Sequence, residues 1–446
     1  MTAVDEHQQL DDSSEDPLTS EGGFRASVAL LRRNRDFRNL FAASVISLGG
    51  DWFLFVAING LILQTTGKAI DVGLSILAQE SAFFLASPWA GALADRLDRR
   101  KLMIVCDLAR VAICLAFLLV EPENIWLAYP LLALLSVFAA PFDPASSAAI
   151  PNLVTARELP VANALGGSLW GTMLAVGAAL GGVVATVFGR DAAFVLDALS
   201  FLGSAVLLTR IHRSFSEERE TPAEHPSTLE ATIETLEYAR QDHRVLSLLT
   251  VKAGFGLAAG VLALLPVFGR QVFGAGDIGF GLLMAARGMG ALIGPFLGHR
   301  IAGPRHRRLL PAIGLALGVF GLSYMALGLA PTLGIAAVTI FAAHLGGGAQ
   351  WVLSTYGLQR LVPDYIRGRV FAVDFAMITL SLGISSLVAA AIADSVGARP
   401  AAVVMGGIAV LWAIAWWTLT AKVRRAGGYS DDQPPGAGES AGASGP

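Results

Sequence analysis

Apolar segments long enough to cross a membrane recur along almost the whole chain, and this feature constrains the fold most. Each is near or above the roughly 20 residues that a helix needs to span a bilayer. Only 15% of the residues are charged, whereas soluble proteins carry about 25%. The sequence therefore predicts an all-α membrane protein with twelve transmembrane helices, arranged as two six-helix bundles. The predicted spans lie near residues 38–64, 72–94, 101–120, 125–150, 161–187, 191–211, 246–272, 277–298, 308–329, 333–357, 368–394 and 399–421.

Polar stretches mark the expected domain boundaries. Residues 1–34 are rich in Asp, Glu and Ser and are predicted to form a disordered tail, as are residues 423–446. The six-helix bundles are expected over residues 35–211 and 245–422. Residues 212–244 connect them as a linker.

The linker contains apolar residues at helical spacing among Glu and Thr. This pattern predicts an amphipathic helix that lies against the membrane surface, and a plain solvated tether is the alternative. The apolar positions are Leu229, Ile233 and Leu236.

Basic residues cluster in alternate loops. Because cytoplasmic loops carry an excess of Lys and Arg, this alternation puts those loops and both termini in the cytoplasm of a multi-pass protein of the inner or plasma membrane. The clusters are Arg96/Arg99/Arg100/Lys101, Arg300/Arg305/Arg307/Arg308, Arg360/Arg367/Arg369 and Lys422/Arg424/Arg425.

The loop between the second and third spans packs two acids and four bases into one short turn. Gly91 lets another backbone approach closely, and Asp95 can face a helix N-terminus or an Arg of a neighbouring helix. Asp374 is close enough to the same membrane face to join them. We therefore predict a cytoplasmic gate latch. Its candidate residues are Gly91, Asp95, Arg96, Arg99, Arg100 and Asp374.

Ionisable side chains inside the predicted spans are candidates for function, because such groups are costly in a membrane and usually face the bundle interior or a wet cavity. Asp51, Glu80 and Asp143 are candidates for binding the coupling proton or cation. Asp51 could instead hydrogen-bond a neighbouring helix, and Glu80 could snorkel to the membrane surface. Asp107 and Arg110 are predicted to form a local i,i+3 pair.

Three further side chains are candidates for lining a substrate cavity. Arg287 could pair with an intramembrane acid or with an anionic group of a substrate. Trp52 and Phe84 could form part of an apolar wall.

The Gly91–Lys101 loop resembles the signature that the major facilitator superfamily carries between its second and third spans. Other stretches resemble a branch of that superfamily similar to the enterobactin exporter and the macrolide-efflux permeases. This resemblance implies the major facilitator fold, two bundles that rock about a central site, and proton-coupled export of a drug-like or siderophore-like molecule. The stretches are Gly50-Asp51-Trp52, 194–202, and Gln359 with Val362-Pro363 and Arg367–Val370.

One departure keeps the direction of transport open. Proton antiporters of this superfamily usually carry Gly-Pro-x-x-Gly-Gly in the fifth span, and here Ala178 occupies the position of the Pro within residues 177–182. The same fold therefore also allows an importer or facilitator of a small metabolite. A non-transporting membrane sensor or partner protein is the alternative from another class.

The motifs favour a transporter over other protein classes. The sequence shows no Gly-x-x-x-x-Gly-Lys-Ser/Thr phosphate loop and no cluster of nucleophile, base and orienting group, so neither ATP-driven transport nor an enzyme is expected. The expected partners are a small-molecule substrate, protons and the lipid bilayer, without cofactor, metal or nucleic acid. A monomer should hold a complete pathway.

Overall fold

The computed structural model describes residues 20–155, 157–213, 215, 237–303 and 308–425. Within these residues, twelve helical segments are long and apolar enough to cross a membrane, which confirms the predicted number. The predicted linker helix around Leu229 lies outside the described residues. The spans are Arg35–Thr66, Ala69–Ala90, Arg99–Leu119, Pro122–Leu153, Leu159–Val187, Arg190–Thr209, His243–Val272, Gly276–Ala302, Leu309–Leu329, Leu333–Leu361, Arg369–Val396 and Ala398–Leu419.

Several helices extend beyond or subdivide these spans. The second helix continues to Arg96 and the eleventh begins at Asp364. The fourth span consists of a 3₁₀ turn followed by two α-helices, Ala128–Ala139 and Phe142–Leu153. Short helices Ser20–Arg33 and Ala421–Arg425 flank the membrane region.

The seventh span changes helix type halfway across the membrane. It is α-helical over His243–Ala259, passes through a 3₁₀ segment at Gly260–Leu264 and a short α-helical segment, and ends in a π turn at Phe268–Val272. A Cβ on Gly260 would lie 2.1 Å from the carbonyl oxygen of Ser385, so the absence of a side chain lets the seventh and eleventh spans touch through their backbones. Such irregular turns inside a helix often mark functional positions.

The packing of the first six spans is repeated by the last six. The first span packs on the fifth and sixth, the third on the sixth, and the second on the fourth. Adding six to each number gives the packing in the second half, where the seventh span packs on the eleventh and twelfth, the ninth on the twelfth, and the eighth on the tenth. Between the halves, the second span packs on the eleventh and the fifth on the eighth.

The two ends of this bundle differ. We call the end that carries the start of the first span and the finish of the twelfth the basic end, and the opposite one the distal end. At the distal end Ala69, Val72 and Ala390 are buried between the halves. Toward the basic end Gly167, one turn before the Gly171 that touches the eighth span, has no neighbouring atom within 4 Å of where a Cβ would lie. The halves are therefore closed together at the distal end and separate toward the basic end.

A docked helix occupies part of the stretch that was expected to be disordered. The helix Ser20–Arg33 places Leu30, only 3% exposed, against Phe37, Val154 and Ala162. The amide group of Asn34 donates to the carbonyl of Leu153 at 2.8 Å. An apolar side chain with a pocket to fill has therefore ordered a segment whose composition is otherwise polar.

Candidate substrate and coupling site between the halves

Glu80 and Arg287 lie at the same depth on the two halves. Glu80 is 11 residues from the start of the second span (80 − 69) and Arg287 is 11 from the start of the eighth (287 − 276). At about 1.5 Å per residue both lie roughly 16 Å from the distal end, close to the middle of a bilayer core of about 30 Å. Snorkelling of Glu80 to the nearer surface does not fit this depth.

The two charges attract each other across the interface without forming a direct ion pair. Each side chain is half-buried and each lies in the electrostatic field of the other. Among the residues that the structure describes, Glu80 has no hydrogen-bond partner. Gly383 of the eleventh span lies beside it, where a Cβ would be 3.4 Å from the Cβ of Glu80.

The guanidinium of Arg287 is held by one edge. Its Nε donates to Nε2 of His344 at 3.2 Å, and Nδ1 of His344 lies 3.1 Å from the carbonyl oxygen of Ile340. The Tyr324 hydroxyl lies 3.4 Å from the same Nε2. His344 therefore acts as a neutral acceptor, and the two terminal amino groups of Arg287 make no hydrogen bond within the described part of the chain.

Aromatic rings lie on the Arg287 side of this site. The guanidinium carbon of Arg287 lies 5.3 Å from the ring centre of Trp170, which in turn is 6.1 Å from that of Trp52. Of the two apolar candidates, Trp52 thus contacts the ring that adjoins Arg287. Phe84 is half-buried, and its neighbour Phe83 makes the contact with the other half, 5.8 Å from Phe375.

A second group of acids lies within the first half. Asp197 is fully buried and accepts from the Cys114 thiol at 3.3 Å and the Ser200 hydroxyl at 3.2 Å. Asp51 is half-buried and close enough for the two carboxylates to repel each other. Asp51 therefore faces the sixth span, and the side chain of Asp143 lies outside the described part of the structure.

Asp374 lies in a different place from the predicted latch. It is only 4% exposed and forms an ion pair with Lys252 of the seventh span, which is 2% exposed. Lys252 also donates to the Thr355 hydroxyl at 3.0 Å and lies 4.8 Å from the centre of the Trp351 ring. Asp374 is ten residues into its helix (374 − 364), about 15 Å from the basic end, which is too deep for the loop carrying Asp95.

The other latch candidates that the structure describes donate to backbone carbonyls of the first half and of the start of the linker. Arg99 donates to the carbonyls of Ala148 and Phe215 at 3.1 and 3.0 Å. Arg100 donates to the carbonyl of Ile211. The side chains of Asp95 and Arg96, and the packing around Gly91, fall outside the described set. The predicted local pair of Asp107 and Arg110 is confirmed.

Charged contacts join the halves at the distal end, and sequence analysis did not predict them. Asp277, at the start of the eighth span, pairs with Arg190 of the first half at 3.5 Å and with Arg270. Arg270 also donates to Gln64 of the first span at 3.0 Å. These groups line a cavity of about 560 Å³ that opens at the distal surface. An acid at the first turn of a span resembles an ordinary surface charge, so sequence alone does not single it out.

Asp394 makes a further link at this end. Its two carboxylate oxygens accept the backbone N–H groups of Ala69 and Ile70 at 2.7 and 2.8 Å. The eleventh span thereby caps the N-terminus of the second span, where a negative charge is favoured by the helix dipole. Asp394, Asp277, Arg190, Arg270 and Gln64 are called the distal lock below.

Small residues bring the fifth and eighth spans into backbone contact. A Cβ on Gly288 would lie 2.3 Å from the Ala175 nitrogen, and one on Gly281 would lie 2.6 Å from the Ala178 carbonyl oxygen. Ala178 occupies the place of the signature Pro and is itself fully buried. Farther toward the basic end, Gly166 has no neighbouring atom within 4 Å of such a Cβ, which agrees with the separation of the halves there.

Solved structures of the same architecture establish the fold. A POT family transporter in complex with 5-aminolevulinic acid superposes with a TM-score of 0.71 at 11% identity, over 87% of this chain and 97% of that one. A bacterial homolog of the human lysosomal transporter Spinster, in an inward-facing and unoccupied conformation, gives a TM-score of 0.68 at 15% identity over 91% and 99%. The chain has the major facilitator fold, as predicted.

Sequence comparison gives the family. The family described as transmembrane secretion effector matches residues 26–433. The enterobactin exporter EntS of Citrobacter koseri is 29% identical over 77% of this chain and 82% of its own length. Macrolide efflux protein A of Streptococcus pyogenes is 24% identical over 81% and 90%, and the uncharacterized MFS-type transporter YfiS of Bacillus subtilis is 27% identical over 86% and 92%. The chain belongs to the transmembrane secretion effector family of the major facilitator superfamily, whose members are multi-pass membrane transporters, and the predicted branch is confirmed.

Proposed function

We propose that this protein exports a small organic molecule, drug-like or siderophore-like, in exchange for protons. The observation that supports this most is that Glu80 and Arg287 lie at the same mid-membrane depth on the two halves, each within the electrostatic field of the other. An acid at such a place can be protonated from one side and deprotonated from the other when the halves rock. The efflux proteins among the relatives support the outward direction.

The basic end is the cytoplasmic one in this proposal. The clusters around Arg99 and Arg300 and the closing Arg424 and Arg425 lie there, and positive charge is retained inside. The structure then corresponds to an inward-facing state, with the distal lock closed on the outer side. Asp95 and Arg96 would form the predicted latch when the halves close at the cytoplasmic side.

Glu80 is the first coupling candidate, because it lies on the interface that moves. Asp51 is the second, since it adjoins the buried Asp197 and follows Gly50, whose Cβ position would fall 2.4 Å from an Asp197 carboxylate oxygen. Asp143 stays a sequence-based candidate. Arg287 and Trp52 would contact the substrate.

The experiment is accumulation of a panel of fluorescent organic compounds in cells that express the wild type, Glu80→Gln or Asp51→Asn at equal levels. Glu123→Gln, an exposed acid in a distal loop, is the matched control. The proposal expects energy-dependent extrusion by the wild type and the control, and its loss in Glu80→Gln. Extrusion by Glu80→Gln at the wild-type rate would contradict the coupling role, and uptake instead of extrusion would favour an importer.

A further inference from the structure

The opposed charges of Glu80 and Arg287 also define what the substrate carries. They lie at the same depth on the two halves, each half-buried and within the electrostatic field of the other, yet they form no direct ion pair. Two opposite charges that are near but not joined complement a ligand with a positive group on one side and a negative group on the other. A ligand with only one charge would leave the other protein charge without a partner, which is costly in a desolvated site.

The hydrogen bonding of Arg287 gives this site a direction. Its Nε is occupied by His344, which leaves the pair of terminal amino groups for an oxyanion that binds with two parallel hydrogen bonds. Glu80 accepts only, and its oxygens lack a donor among the described residues, so an ammonium group fits there. The guanidinium lies over the ring of Trp170, which is 45% exposed and offers its exposed apolar surface to an aromatic or flat apolar part of the ligand.

We propose that the substrate is amphoteric: its cationic amine faces Glu80, its acidic group faces Arg287 and its flat apolar part packs on Trp170. This rests on the proposed function and deepens it, since an amine at Glu80 competes with the proton for the same carboxylate. Because of this competition, Glu80 binds the substrate when the protein moves the substrate outward and binds a proton when the empty site returns inward.

Three indole compounds separate the charges while keeping the ring. Near neutral pH, tryptophan is zwitterionic, tryptamine is cationic and indole-3-propionate is anionic. Their binding to the purified full-length protein in detergent is measured by competition against radiolabelled tryptophan, or against labelled tryptamine or indole-3-propionate where tryptophan binds weakly. Wild type is expected to bind tryptophan roughly tenfold or more tightly than either singly charged compound, since each charge-assisted contact contributes about that factor.

The variants should remove one preference each. Glu80→Gln should lose the advantage of tryptophan over indole-3-propionate and keep its advantage over tryptamine. Arg287→Gln should do the reverse. Ratios within one preparation do not depend on the fraction of protein that is folded, and Glu123→Gln and Arg399→Gln, both at the distal end, should leave both ratios unchanged.

The inference is overturned if wild type binds tryptamine or indole-3-propionate as tightly as tryptophan, or shows no binding of the three at their solubility limits. It is equally overturned if either variant changes both ratios together. Binding is measured without a gradient, so this result can fail while gradient-driven export succeeds. Conversely, if gradient-driven export is not observed, the expected ratios of tryptophan binding to tryptamine and indole-3-propionate binding are unaffected.

Discussion

Asp394→Asn should shift the protein toward the state that is open at the distal end. Asp394 belongs to the second half, and both of its hydrogen bonds, to the N–H groups of Ala69 and Ile70, cross to the first half. Both are lost when the distal end opens. The substitution therefore weakens one state and leaves the packing within each half intact.

The size of this shift follows from the geometry. A hydrogen bond to a charged group contributes about 1.5–3 kcal/mol, and Asn keeps one acceptor oxygen while its amide group turns a donor toward the second N–H. Asp394 is exposed, so solvent screens part of the lost charge. The net loss is about 1–2 kcal/mol, which is a factor of roughly 5–30 in the ratio of distal-open to distal-closed protein.

Pulsed electron paramagnetic resonance measures this ratio directly. Spin labels at Glu123→Cys and Gly334→Cys lie on exposed distal positions of the two halves, and the native Cys106 and Cys114 are buried. In lipid nanodiscs, Asp394→Asn should increase the long-distance population by the stated factor. Asp191→Asn, which removes another exposed distal acid, is the control. A ratio within twofold of the wild type, or an equal shift in the control, would refute the role assigned to Asp394.

Three other changes test the remaining packing and charge arguments. Lys252→Met should cost about 3–5 kcal/mol because it leaves the buried charge of Asp374 without a partner, so the thermal unfolding temperature should fall and should recover in the Lys252→Met/Asp374→Asn double variant; an equal fall in both would contradict the pairing. Gly288→Leu should abolish transport while the expression level is kept, because a Cβ there would lie 2.3 Å from a backbone nitrogen of the fifth span, and wild-type flux would exclude close contact of these spans. Hydrogen bonds from the Thr155 backbone and the Arg33 side chain lower the pKa of Glu158 to about 2. The docking of Ser20–Arg33 should therefore be constant above the usual carboxyl pKa of about 4.3 and weaken as the pH falls toward 2. The mobility of a spin label at Ala29→Cys measures this docking. Glu158→Gln should loosen the helix at neutral pH, and equal mobility in the variant and the wild type would show that the ion pair does not hold it.

The span count and the fold could be predicted because they follow from local properties. Segment length, charge placement and the repeated six-span halves can be read directly from the sequence. The Gly91–Lys101 loop resembles the signature of the superfamily and so indicated the fold. The docked helix Ser20–Arg33 could not be predicted in the same way, because its order depends on a pocket that residues far away in the sequence form around Leu30.

The candidate site could be predicted only in part. Glu80 and Arg287 stand out in the sequence because charges inside spans are rare. Their equal depth on opposite halves, however, can be calculated only from the first residues of the two helices, which the structure defines and the sequence does not. Its position along the chain predicts Asp374 near the cytoplasmic side, and the sequence does not show that the deep Lys252 is its partner. Asp394 gave no signal, because capping another helix is a property of the tertiary structure.

The measurement that tests proton-coupled export most directly is substrate flux across vesicles that contain only the purified protein. Proteoliposomes loaded with a compound from the extruded panel would be given a pH gradient, and the initial rate would be compared before and after an ionophore collapses that gradient. The account predicts that the gradient accelerates flux in the wild type, that its collapse removes the acceleration, and that Glu80→Gln shows gradient-independent flux or none. A wild-type rate that is the same with and without the gradient would contradict it and would favour a facilitator.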